Sequence, residues 1–133
     1  MSAETHEQAS EAAGRTILVV DDFDDTRLIM RLWLQKRGYR VIEAADGREA
    51  VAMALSESPD LIIMDIEMPE LDGLAATRRI REEESMGDVP IVAVSAYGGA
   101  HWRARALEAG CNEYVSTPFE PAELEGMIKA FLS

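Results

Sequence analysis

The chain has 133 residues, 47% of them hydrophobic, and its 13 Lys and Arg against 25 Asp and Glu give a formal net charge of −12. That size and composition suit one folded domain rather than a disordered chain. They argue against direct nucleic-acid contact, which needs clustered basic residues. No apolar run approaches the roughly 20 residues that span a bilayer, and a single cysteine, Cys111, excludes an internal disulfide.

Residues 1–14, MSAETHEQASEAAG, are polar and acidic and lack a hydrophobic signal core. They predict a flexible tail and a cytoplasmic protein, with one domain over 15–133. Thr16–Val20 is a β-branched, apolar strand. Residues 25–37 follow with Leu28, Ile29, Leu32 and Trp33 at helical spacing, and Gly38 is a C-terminal stop. Arg40–Ala44 reads as a strand. Asp46 with Glu49 forms a capping-box-like start for a helix through about Ser56. Asp60–Met64 is a continuous apolar run that ends at Asp65. Leu74, Thr77, Arg78 and Ile80 share a third helix. Val89–Val94 is a fourth strand ending at Ser95, residues 100–109 form a helix stopped by Gly110, Glu113–Ser116 is a short fifth strand, and Pro121–Leu132 is a last amphipathic helix.

Five strands alternating with five helices predict an α/β fold, a parallel sheet covered on both faces. In such sheets the working crevice lies beyond the carboxyl ends of the strands. Asp21 and Asp22, Asp65, Ser95 and Thr117 all stand at strand ends, so the fold would collect them in one place.

The run ILVVDDFDDT, residues 17–26, drives a buried strand into four aspartates. Asp21, Asp22 and Asp65 at one sheet edge repel each other, and a hard divalent cation would relieve that repulsion. Oxygen-only ligands favour Mg²⁺ or Mn²⁺ over zinc. One carboxylate is then available as a nucleophile toward phosphorus, with the Ser95 hydroxyl stabilising the transferred group. Asp24, Asp25 and Asp72 are read instead as acids at helix N-termini.

On LVVDD (18–22), LIIMDIEMPELDG (61–73), VAVSA (92–96) and CNEYVSTPF (111–119), the chain resembles the receiver (CheY-like) domain of two-component response regulators over residues 15–133. The resemblance implies a flavodoxin-like doubly wound sheet in the order 2-1-3-4-5. It implies that Asp65 is the phosphoacceptor, and that Asp21, Asp22, Asp65 and the backbone carbonyl of Glu67 hold Mg²⁺. It makes Ser95 the hydroxyl that binds the phosphoryl group and Tyr114 the aromatic switch whose ring turns inward on activation. It further implies a phosphoprotein of a phosphorelay, a signalling module rather than an enzyme. Its partners would be a histidine kinase or phosphotransfer protein and a downstream target on the face of the fourth helix, fifth strand and fifth helix. No direct nucleic-acid or membrane contact is expected, and the chain would be a monomer or weak dimer. Because it ends at Ser133, just after the last helix, output would come through binding another protein, unless the chain is a fragment.

One departure matters. Where the family has Lys-Pro after the fifth strand, this chain has Thr117-Pro118, and threonine cannot supply the lysine's charge. The alternative of a receiver-like module that binds partners without phosphorylation rests on that change. A rival is that Asp22-Phe-Asp24-Asp25-Thr26 also fits D-x-D-x-T, the motif of haloacid-dehalogenase-type phosphatases, with Asp22 as nucleophile and Asp24 as acid-base; no suitable Lys supports it. His6 and His101 read as surface residues, Cys111 as a buried small hydrophobe, and Trp102 beside Arg103 and Arg105 either as a partner contact or as packing on its own helix. Gly98-Gly99 marks a mobile loop.

Overall fold

A computed structural model describes residues 14–68, 72–96 and 99–132. The expected tail other than Gly14, His6, Pro69, Gly98 and Ser133 lie outside the described residues. The chain runs β1 (Thr16–Val20), α1 (Asp24–Lys36), β2 (Arg40–Ala44), α2 (Gly47–Glu57), β3 (Leu61–Asp65), α3 (Gly73–Glu82), a short 3-10 turn (Glu84–Met86), β4 (Ile91–Ser95), α4 (Ala100–Ala109), β5 (Glu113–Ser116) and α5 (Pro121–Leu132). All strand pairs are parallel, in the order β2-β1-β3-β4-β5. Among the described residues no helix is long and apolar enough to cross a membrane.

Alternation along each strand feeds two cores. Leu18, Val20, Ile62, Met64, Ile91 and Ala93 face α2, α3 and α4. Ile17, Val19, Leu61, Ile63, Val92 and Val115 face α1 and α5, where Leu34, Leu124, Ile128 and Leu132 meet them. Local signals place the helix ends. The Asp46 carboxylate accepts from the Glu49 N–H at 2.8 Å while Glu49 accepts from the Ala45 N–H at 3.0 Å, a reciprocal cap. Asp72 caps α3 through the Ala75 N–H at 2.8 Å, and Gly38 and Gly110 turn the chain with φ of 96° and 116°.

The first helix differs from its sequence reading. Of the expected stripe, Leu28, Ile29 and Leu32 are 41%, 68% and 53% exposed, and the one fully buried residue of α1 is Leu34. Trp33 of that stripe does pack inward, and the inward row is Arg27, Met30, Arg31, Trp33 and Leu34. Arg27 fixes this rotation: its guanidinium donates to the Asp21 carbonyl at 2.7 Å and to Glu43 at 3.1 Å, and Arg31 pairs with the same Glu43 at 3.2 Å.

Candidate functional site

Strand register builds the site. Val20 pairs with Met64 in parallel, so the next residues, Asp21 and Asp65, emerge side by side about 4.8 Å apart. Asp65 in turn pairs with Val94, one residue before Ser95. Beyond the strands, the Ile66 N–H donates to the Val94 carbonyl at 3.2 Å and the Thr117 N–H to the Ser95 carbonyl at 2.8 Å, carrying the ladder into the loops. Gly73 permits the close approach of α3: a Cβ there would lie 2.3 Å from the Asp65 carbonyl oxygen and 2.7 Å from Ile66 Cα. The Asp-Gly offset of the sequence is therefore a packing requirement on Asp65 itself.

Carboxylate oxygens of Asp21, Asp22 and Asp65 all lie within 4.8 Å of one another. Two are oriented locally, since Asp21 Oδ1 accepts from the Phe23 N–H at 2.8 Å and Asp65 Oδ1 from the Glu67 N–H at 2.9 Å. Asp22 Oδ1 is buried and has no hydrogen-bond partner among the described residues. An orphaned buried carboxylate oxygen is costly unless a cation or donor joins it. With an all-oxygen donor set, that orphan fits a hard divalent ion held by Asp21, Asp22 and Asp65.

Burial raises the Asp65 carboxyl most; the Glu67 N–H pulls it back, and the charges of Asp21, Asp22 and Glu67 push it up again, to about 7. Asp21 is raised by burial and by Asp22, against the pull of the Phe23 N–H and Arg27. No Lys or Arg is among the charges acting on Asp65. Thr117 is exposed, and its neutral hydroxyl cannot carry the lysine's charge.

Sequence reasoning gave Glu67 only a backbone role. Its side chain reaches across the site, where one carboxylate oxygen accepts from the Ser95 hydroxyl at 2.8 Å and from the Ala96 N–H at 2.5 Å. Side chains two apart on an extended chain share a side, so an acid at that offset from Asp65 was the available signal. Tyr114 is 7% exposed, packed in the core beneath α4, and its hydroxyl has no partner among the described residues. The ring is already inside.

The remaining candidates separate from this centre. The Asp24 side chain is 86% exposed and bound to Arg27 at 2.7 Å, which leaves the D-x-D-x-T motif without its acid-base. Asp25 sits in the first turn of α1, and His101 is exposed. Cys111 is buried 3.7 Å from the Thr77 hydroxyl, and burial raises its thiol pKa, as suits a core residue. Trp102 is half-buried, with the Arg105 guanidinium 4.7 Å over its ring.

Comparison with known proteins agrees with this geometry. The family model for the response regulator receiver domain matches residues 17–129. The chain is 41% identical over 118 residues to a probable transcriptional regulator, ycf27, of Cyanophora paradoxa, covering 89% of this chain and 48% of that protein. It is 35% identical over 119 residues to the phosphate regulon transcriptional regulatory protein PhoB of Pseudomonas aeruginosa, covering 90% and 52%. It thus spans about half the length of these curated relatives. Among solved structures, chemotaxis protein CheY4 of Vibrio cholerae superposes with a TM-score of 0.84 at 30% identity, covering 90% of this chain and all of that one. The receiver domain of sensor histidine kinase PA1611 of Pseudomonas aeruginosa, crystallised with a magnesium ion in its active-site cleft, superposes at 0.83 with 39% identity, covering 90% and 98%. By sequence, strand order and the acidic cluster at its strand ends, this chain belongs to the response regulator receiver domain family of two-component systems.

Proposed function

We propose that residues 15–133 form a receiver that takes a phosphoryl group onto Asp65 from a histidine kinase or phosphotransfer protein, with Mg²⁺ held by Asp21, Asp22, Asp65 and the Glu67 carbonyl. The observation that carries this is the trio of carboxylates converging within 4.8 Å beside an orphaned Asp22 oxygen. An Asp65 carboxylate oxygen attacks phosphorus, the bond from phosphorus to the donor nitrogen breaks, and its electron pair leaves with the imidazole. The metal, when bound, offsets negative charge on the acids and on the transferred oxygens. Gly73 and the Glu67 N–H hold Asp65 in place for the attack. The Ser95 hydroxyl and Ala96 N–H are the donors for the new phosphoryl oxygens, so Glu67 must release them first. Placement in the cytoplasm and signalling through α4, β5 and α5 are part of this reading, and the net charge of −12 favours protein partners over nucleic acid for the chain as a whole. Incubation with phosphoramidate and Mg²⁺ should add one phosphoryl group by intact mass, and chelation should prevent it. No mass gain with either phosphoramidate or a phosphorylated histidine donor would reject the proposal.

A second reading, a receiver that signals without phosphorylation, is favoured by Glu67. Its carboxylate sits on the donors a phosphoryl group would use, and Tyr114 is buried at the same time. In this reading Glu67 stands in for the phosphoryl oxygens and phosphorylation changes little, because the two states differ little in contacts. Thr117→Lys should then enlarge the phosphorylation-dependent NMR shifts around Tyr114, and Glu67→Ala should let the Tyr114 ring leave the core. Full switching in the parent, with no gain in Thr117→Lys, would discard this second reading.

A further inference from the structure

A cavity of about 580 Å³ opens between α1 and α5 on the second face of the sheet. That is within the roughly 300–1,000 Å³ of small-molecule sites. Its walls are Met30 and Trp33 of α1, Leu124 of α5 and Phe119 of the preceding loop, with Val19 and Ile63 beneath them. Phe23 and Ile29 on the α1 side are each 68% exposed, so apolar surface stands in solvent at its rim.

The mouth has the opposite character. Asp21, Asp65, Glu67 and Thr117 line the same cavity. Asp21, Asp22, Asp65 and Glu67 carry four formal negative charges, and a divalent cation offsets only two. The family's lysine would offset another, but Thr117 has only a neutral hydroxyl. Thr117 and the acids a lysine there would serve line one cavity. An apolar chamber joined to an acidic mouth, with Arg27 as the counter-charge on Asp21, is complementary to an organic cation.

We propose that this cavity binds a small organic cation, a primary amine on an apolar body, with its ammonium group between Thr117 and the acids and its body against Met30, Trp33 and Leu124. The ammonium donates charge-assisted hydrogen bonds to carboxylate oxygens on the side the lysine would have used. The body covers apolar surface that α1 and α5 leave open. A neutral ligand of the same shape gains only the second contribution. The proposal goes beyond phosphotransfer and does not rest on it, because binding requires no phosphoryl group.

The test titrates phenylbutylamine, phenylbutanol and phenylbutyrate into the full chain with saturating Mg²⁺ and no phosphodonor. The amine should bind about tenfold tighter than the alcohol, and tighter than the acid when Mg²⁺ is left out. The Trp33 indole resonance should move while that of Trp102, which lines a different cavity, stays. Thr117→Lys, the family residue, should weaken the amine about tenfold by occupying its place. Ile29→Ser, at an exposed position, should weaken amine and alcohol alike. Equal affinity for amine and alcohol, an unchanged Thr117→Lys, movement at Trp102 alone, or no binding of any probe would each overturn the proposal. Phosphorylation of the ligand-free protein, measured separately, reports on Asp65 whatever the titration gives.

Discussion

The same strands present two faces that pack to different ends. Against α2, α3 and α4, the fully buried Ala50, Ala54, Ala76 and Ala106 let the helices come close to Leu18, Ile62 and Met64. Small side chains at a contact shorten the distance between axes. Against α1 and α5, the buried Leu34, Leu124 and Ile128 are joined by the half-buried Met30, Trp33, Phe119 and Phe131, and a cavity remains between the helices. The closed face gives rigidity: α3 is pressed onto the Asp65 backbone through Gly73. The open face leaves apolar surface beside the acids, where a ligand can act.

The contrast is most readily broken at Gly73. A Cβ there meets backbone on the tight side, with no flexible side chain to give way. Gly73→Ala should cost about 3 kcal/mol in chemical denaturation and lower Mg²⁺ affinity by displacing Asp65. Metal binding comes next. Mg²⁺ at one hundred times its dissociation constant should stabilise the parent by about 2.7 kcal/mol, seen as a higher thermal midpoint, and Asp22→Ala should remove the shift. A parent without any Mg²⁺-dependent shift would count against the site.

Packing changes should sharpen the comparison. Ala54→Leu, on the closed face, should cost about 2 kcal/mol by overpacking. Val94→Leu, beside the cavity, should stay within about 0.5 kcal/mol. Equal costs by urea denaturation would mean the two faces are equally tight. A further test is on pH. The folded Asp65 carboxyl lies near 7, above the ordinary unfolded value of about 3.9. Its contribution is therefore fully present at low pH and is lost as pH rises through about 7. Without metal, Asp65→Asn should stabilise the protein more at pH 8 than at pH 5. The half-buried carboxyl is partly screened by solvent, which keeps the effect modest.

Much of this was legible in the sequence because buried parallel strands write themselves as continuous apolar runs that end abruptly at the site. Asp21, Asp22, Asp65 and Ser95 followed from those ends. The face of α1 was not legible. Leu28, Ile29 and Leu32 fit helical spacing as well as Met30 and Leu34 do, and the choice is made by Arg27 reaching Glu43 and the Asp21 carbonyl across the fold. The Glu67 side chain was missed for a related reason: its bonds to Ser95 and Ala96 span 28 and 29 residues. The cavity depends on the separation of two helices, which no local pattern encodes.

Asp65 as the acceptor is tested most directly by mapping the modified residue after phosphoramidate and Mg²⁺. One phosphoryl group should lie on Asp65 in the parent, and Asp65→Asn should remain unmodified while keeping the parent's circular dichroism. Labelling that survives in Asp65→Asn and disappears in Asp22→Asn would contradict it and move the nucleophile to the end of β1.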